Sequence, residues 1–155
     1  VSETTSAVFA PAALVLTAAQ RAAIARHGEE TFPDECCGVL LGREENGVRI
    51  VVELLPLENG WDPVERRRRF IISSQQVLRA EKTARAKGLD VLGFYHSHPN
   101  APARPSEFDR EHAWPWYSYP IVSVVDGSAV ELTGWQLLDD RGGYAQISMP
   151  AVNGH

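Results

Sequence analysis

The sequence predicts a single α/β domain in which a mixed β-sheet packs against two longer helices. Helix and strand signals alternate along the whole chain, and no repeat, low-complexity stretch or linker divides it. Its 155 residues, 44% hydrophobic and 23% charged, suit one domain with a real apolar core and no need of disulfide staples.

In chain order, residues 1–12 read as a flexible or loosely docked end, and residues 13–150 as the domain. Thr17-Ala18-Ala19-Gln20 has capping-box form, so an alanine-rich helix follows to about Glu30 and stops at Phe32-Pro33. Cys36 to Gly42 is a short apolar run with the look of a buried strand. Asn46-Gly47 is a hairpin turn, and Val48 to Leu57 is the returning strand. Asn59-Gly60 and Asp62-Pro63 mark a loop, and Arg69 to Ile72 another strand. Ser73 or Ser74 caps a helix over Gln75 to Lys87, with Gly88 at its C-terminal end. Val91 to Tyr95 forms a strand leading into His96-Ser97-His98-Pro99, and a Pro-rich loop precedes a short helix beginning near Ser106. Tyr119 to Val125, Val130 to Leu138 and Tyr144 to Met149 complete the strands, with turns at Asp126-Gly127 and Arg141-Gly142-Gly143.

The net charge of −5 argues against a generally nucleic-acid-binding surface. No apolar stretch approaches the roughly 20 residues that span a bilayer, and the opening residues lack the pattern of a signal peptide. Cys36 and Cys37 are sequence neighbours, and disulfide geometry disfavours such a pair. Both are therefore expected as free thiols, in a reducing cytoplasm.

His96 and His98 stand two residues apart in extended backbone, where i and i+2 point to one side, so both rings can converge on one ion. Asp109 lies in the helix after the Pro-rich loop, which can fold back to present its carboxylate. Two nitrogens and one oxygen suit zinc, and three protein ligands leave a fourth position for water of lowered pKa. Glu35 is the candidate general base, and Ser106 a candidate hydroxyl donor to an oxyanion. The set is the one an amide hydrolase requires.

Glu35, His96-Ser97-His98-Pro99, Ser106 and Asp109, with seven residues between His98 and Ser106, resemble the signature of the JAMM (MPN+) metalloproteases. Glu35-Cys36-Cys37-Gly38 and Gly93-Phe94-Tyr95 resemble small bacterial members, and the likeness runs from about residue 13 to 150. It implies a cytidine-deaminase-like α/β/α sandwich and one zinc ion. It also implies hydrolysis of a peptide or isopeptide bond at the C-terminus of a ubiquitin-like protein. A sulfur-carrier protein is the preferred substrate, because the short chain leaves little room for insertions that grip linked ubiquitins.

Competing readings stand beside these. Ser106 can be simply the helix N-cap, with Asp109 as its N3 partner. Glu35 can be a solvent-facing loop carboxylate like its neighbour Asp34. Cys36 and Cys37 read as small buried residues rather than nucleophiles, and His27, His112 and His155 as bystanders. Arg66 to Arg69 reads as a charged strand edge. Trp114, Trp116, Tyr117 and Tyr119 can form either a groove wall or core. A non-catalytic MPN-type binding module is the main functional rival. A zinc deaminase is a weaker one, since H-x-E with P-C-x-x-C is missing.

Overall fold

Thr17 ends the first strand, β1 (Ala13–Thr17), and caps the first helix, α1 (Ala18–Thr31), in a reciprocal capping box with Gln20. The computed structural model describes residue 11 and residues 13–57 and 72–152. After a cis Phe32–Pro33 peptide come β2 (Cys37–Glu45) and β3 (Val48–Leu57), joined through Asn46-Gly47. Both turn residues have positive φ, 54° and 79°, as a two-residue hairpin with right-handed strand twist requires. Then follow α2 (Ser74–Ala86), β4 (Asp90–Pro99), α3 (Glu107–His112), β5 (Ser118–Val125), β6 (Ser128–Leu137), β7 (Tyr144–Ile147) and β8 (Ala151–Val152).

The strands form one mixed sheet in the order β7-β6-β5-β4-β2-β3-β1-β8, with β4–β5, β1–β3 and β1–β8 parallel and the other pairs antiparallel. Side chains alternate across β2: Leu40 joins Ile24 of α1, whereas Val39 and Leu41 join Ala80 and Ala84 of α2. Each face of the sheet is thus covered by a helix, giving the expected α/β/α layering. On the α1 face, Gly28 lets the helix come close to the strands. A Cβ there would stand 3.0 Å from Val124 and 3.3 Å from the Ser97 Cβ.

A bulge in β4 decides which face carries the chemistry. Leu40 pairs with Gly93 and Leu41 with Val91, so Leu92 is passed over. Leu92 therefore faces α1, while Phe94, two residues on, faces α2. From there alternation resumes. Tyr95 packs in the α1-side core, Phe94 and His96 line a cavity on the other side, and His98 meets Asp109 of α3.

Several expectations need adjustment. β4 does not end at Tyr95 but continues through His96-Ser97-His98-Pro99, because that segment pairs with both neighbours: Cys37 with His96, and His96 and His98 with Ile121 and Ser123. β1 and β8 were not anticipated, and β7 ends at Ile147 rather than Met149. Ile72 is not in a strand. The expected loop at Asn59 to Pro63, the remainder of the strand expected at 69–72 and the arginines 66–69 lie outside the described residues. So does the expected flexible segment, apart from Pro11, which is buried.

Candidate metal centre

Three side chains from two elements converge on one point. His96 and His98 project from the same face of β4, and Asp109 projects from the third position of α3. Their Nε2 atoms lie 3.1 Å apart. Asp109 Oδ2 lies 3.0 Å from His98 Nε2 and 3.4 Å from His96 Nε2. A tetrahedral zinc ion with bonds of about 2.0–2.2 Å spaces its ligand atoms about 3.3 Å apart. The triangle therefore has the right size for such an ion, and two imidazoles with a carboxylate are the right donors.

The surroundings orient this donor set. His98 Nδ1–H donates to the Pro102 carbonyl at 2.8 Å, which in the neutral ring leaves Nε2 with its lone pair toward the cluster. Ser106 is the N-cap of α3: its Oγ accepts from the Asp109 N–H at 3.0 Å, and its own N–H donates to Asp109 Oδ2 at 2.8 Å. The capping role of Ser106 is thus present, and its hydroxyl proton is still available to donate. Burial works against ionisation of Asp109, but the charges and hydrogen bonds of His96 and His98 hold its carboxyl far below the usual carboxylate range. Burial likewise pulls His98 down, yet Asp109 and the Pro102 carbonyl leave its pKa raised. The carboxylate is charged and ready to bind a cation.

Glu35 lies just before β2 and is 7% exposed. The Cys36 N–H donates to Ser97 Oγ at 2.8 Å, and the Ser97 N–H to the Cys36 carbonyl at 3.2 Å, tying this entry to the His-Ser-His segment. Cys36 packs in the α1-side core, whereas Cys37 lines the cavity beside His96. Glu35 stands two residues before Cys37 and is not among the described residues that line this cavity. Both thiols are pushed up chiefly by burial, Cys36 to about 11, so neither is a thiolate near neutrality.

The cavity against His96 and Asp109 is walled by Phe94, Trp114, Tyr119 and Tyr144. Of the four aromatics left open between groove and core, Trp114 and Tyr119 line it. Tyr117 packs edge-on against Phe94 and donates to Glu81 at 2.6 Å, and Trp116 sits under the Arg49 guanidinium. His27 is bonded to Tyr95 Oη at 2.7 Å on the α1 side. His112, set aside in the sequence, lines the cavity rim, with Nδ1 on the Phe108 carbonyl. The sequence also gave no hint of the Pro102 carbonyl, a backbone group that no residue type announces. Ser97 stood in plain view between the two histidines.

A model of prokaryotic homologues of the JAB domain matches residues 17–138. The chain belongs to that family. It is 37% identical over 128 residues to a desampylase of Haloferax volcanii, covering 78% of this chain and 88% of that protein. It is 32% identical over 96 residues to a Thermus thermophilus protein named "Probable TtuB-protein conjugate cleaving protease", covering 61% of this chain and 59% of that one. The solution structure of a Desulfitobacterium hafniense protein, 30% identical, superposes with a TM-score of 0.77 over 90% of this chain and 93% of that one. Family, relatives and ligand set together make this prokaryotic JAB-domain chain a hydrolase of the JAMM/MPN type. No helix among the described residues is long and apolar enough to cross a membrane.

Proposed function

We propose that this chain is a zinc-dependent peptidase that cuts the peptide or isopeptide bond at the C-terminus of a ubiquitin-like protein, preferably a sulfur carrier, in the cytoplasm. The observation that carries the proposal is the triangle of His96, His98 and Asp109 donor atoms, with edges of 3.0–3.4 Å. These three residues would hold the ion. When bound, it supplies Lewis acidity, polarising the scissile carbonyl and acidifying water.

The rest falls to the chain's own groups. Glu35 takes a proton from the attacking water and passes it to the departing amine. Its near-complete burial shields that proton transfer from bulk solvent. Ser106 donates its hydroxyl proton to the oxygen that gains charge as the carbonyl becomes tetrahedral. Phe94, Trp114 and Tyr119 narrow the approach, which favours a slender tail over one with bulky side chains. The substrate class is supported by the names of the relatives, a desampylase and a conjugate-cleaving protease.

The test is incubation with ubiquitin-like carriers bearing C-terminal extensions, and with linked ubiquitins, read by intact mass spectrometry. Release of the extension after the carrier's terminal glycines is expected. A fully zinc-loaded enzyme that leaves the whole panel intact would favour a binding module.

A further inference from the structure

α3 carries Asp109 yet buries none of its six residues. A helix this short does not sustain itself in water, and Phe108, Asp109 and Arg110 are only partly buried. Its C-terminal end is gripped from outside by Arg141, in the turn between β6 and β7. Arg141 Nη1 donates to the Ala113 carbonyl at 3.0 Å, and Nη2 to the carbonyls of Arg110 at 3.0 Å and Glu111 at 3.2 Å. Arg110 returns the grip, donating from Nη1 to the Arg141 carbonyl at 2.8 Å.

These are the carbonyls that a helix end leaves without intrahelical partners. A planar guanidinium reaches several at once, and positive charge at a helix C-terminus is favourable. Arg141 also keeps a φ of +60°, a left-handed conformation that L side chains rarely adopt. Its turn is closed by bonds from Leu138 N–H to the Gly143 carbonyl (2.9 Å) and from Arg141 N–H to the Leu138 carbonyl (2.8 Å). Glycine at 141 would relieve the backbone but lose the guanidinium, and glycine already follows at 142 and 143. The strained position is occupied by a side chain that reaches the C-terminal end of α3.

We propose that Arg141 is a positioning residue for the metal centre. It holds the C-terminal end of α3 as the Ser106–Asp109 box holds the other end, so Asp109 meets His96 and His98 already in place. The inference rests on the metal-site reading above. Without the clamp, α3 must order each time an ion binds, and that ordering weakens affinity.

The test uses the full chain, stripped of metal and titrated with cobalt(II) by visible absorption and with zinc against a chromophoric chelator. Arg141→Ala is expected to weaken binding about ten- to hundredfold, the usual effect of losing a group that supports a ligand. Hydrogen exchange at the amides of residues 107–113 should quicken in the metal-free variant. Ser73→Ala breaks the equivalent cap on α2, which carries no ligand, and should lower stability while binding metal like the wild type. Arg141→Lys keeps the charge without the fork, should show an intermediate loss, and carries the test if the alanine variant does not fold. Affinities within about twofold of wild type in the folded Arg141 variants, or an equal loss in Ser73→Ala, would overturn the proposal. A wild-type chain that takes up no ion, or whose binding survives His98→Ala, overturns the metal-site reading and this inference with it.

Discussion

Ser106 and Asp109 cap one another, and the Asp109 oxygen that accepts the Ser106 N–H at 2.8 Å is the one 3.0 Å from His98 Nε2. One carboxylate oxygen thus both closes a capping box and completes the candidate ligand triangle. The two roles separate by mutation. Asp109→Asn keeps an oxygen for the Ser106 N–H, whereas Asp109→Ala keeps none. Both variants should lose metal binding. Only the alanine should lose the reciprocal half of the box, the bond from the Ser106 N–H, a cost of about 0.5–1.5 kcal/mol in thermal unfolding with chelator present. Equal stability of the two would show that this half of the box contributes nothing.

Ser97 is fully buried, and its hydroxyl accepts the Cys36 N–H at 2.8 Å. Ser97→Ala leaves that amide without its partner, for about 1–3 kcal/mol of destabilisation. Because Glu35 precedes Cys36, turnover should fall while the metal is kept. Denaturant melts, metal analysis and kcat together check this. A variant with wild-type stability and kcat would remove Ser97 from the account.

Glu35→Gln preserves shape and removes basicity. Metal content and melting temperature should stay near wild type while kcat drops by about a hundredfold or more. Retention of most activity would assign the proton transfer to another group.

Cys36 and Cys37 should behave as inert thiols. Burial, acting first, raises Cys36 to about 11, partly countered by the Ser97 hydrogen bond. The neutral thiol is the form the fold favours. Its stabilising contribution is therefore full below the unfolded thiol's value near 9, and is lost as pH rises through about 11. Iodoacetamide at neutral pH should label the native chain far more slowly than the unfolded one, with the rate climbing only in strong alkali. Fast native labelling at neutral pH would contradict the burial of these thiols.

Much of the fold was legible because its signals are local. Thr17-Ala18-Ala19-Gln20 and Ser73 start helices, and Asn46-Gly47 and Asp126-Gly127 take the positive φ of hairpin turns. The convergence of His96 and His98 was legible because residues i and i+2 of a strand share a face. What escaped depends on pairing between distant segments. β1 and β8 owe their strand character to each other and to β3. The bulge at Leu92 that turns His96 and His98 toward α3 is a property of the β2–β4 register, with no residue signature of its own. Arg141 looked like turn material, and its hold on α3 spans about thirty positions of chain.

The most direct test of the account is a crystal of the zinc-equilibrated chain, with anomalous data collected on both sides of the zinc absorption edge. A single strong peak is expected about 2.0–2.2 Å from His96 Nε2, His98 Nε2 and an Asp109 carboxylate oxygen. Absence of a peak there, or a peak held by other side chains, would contradict it.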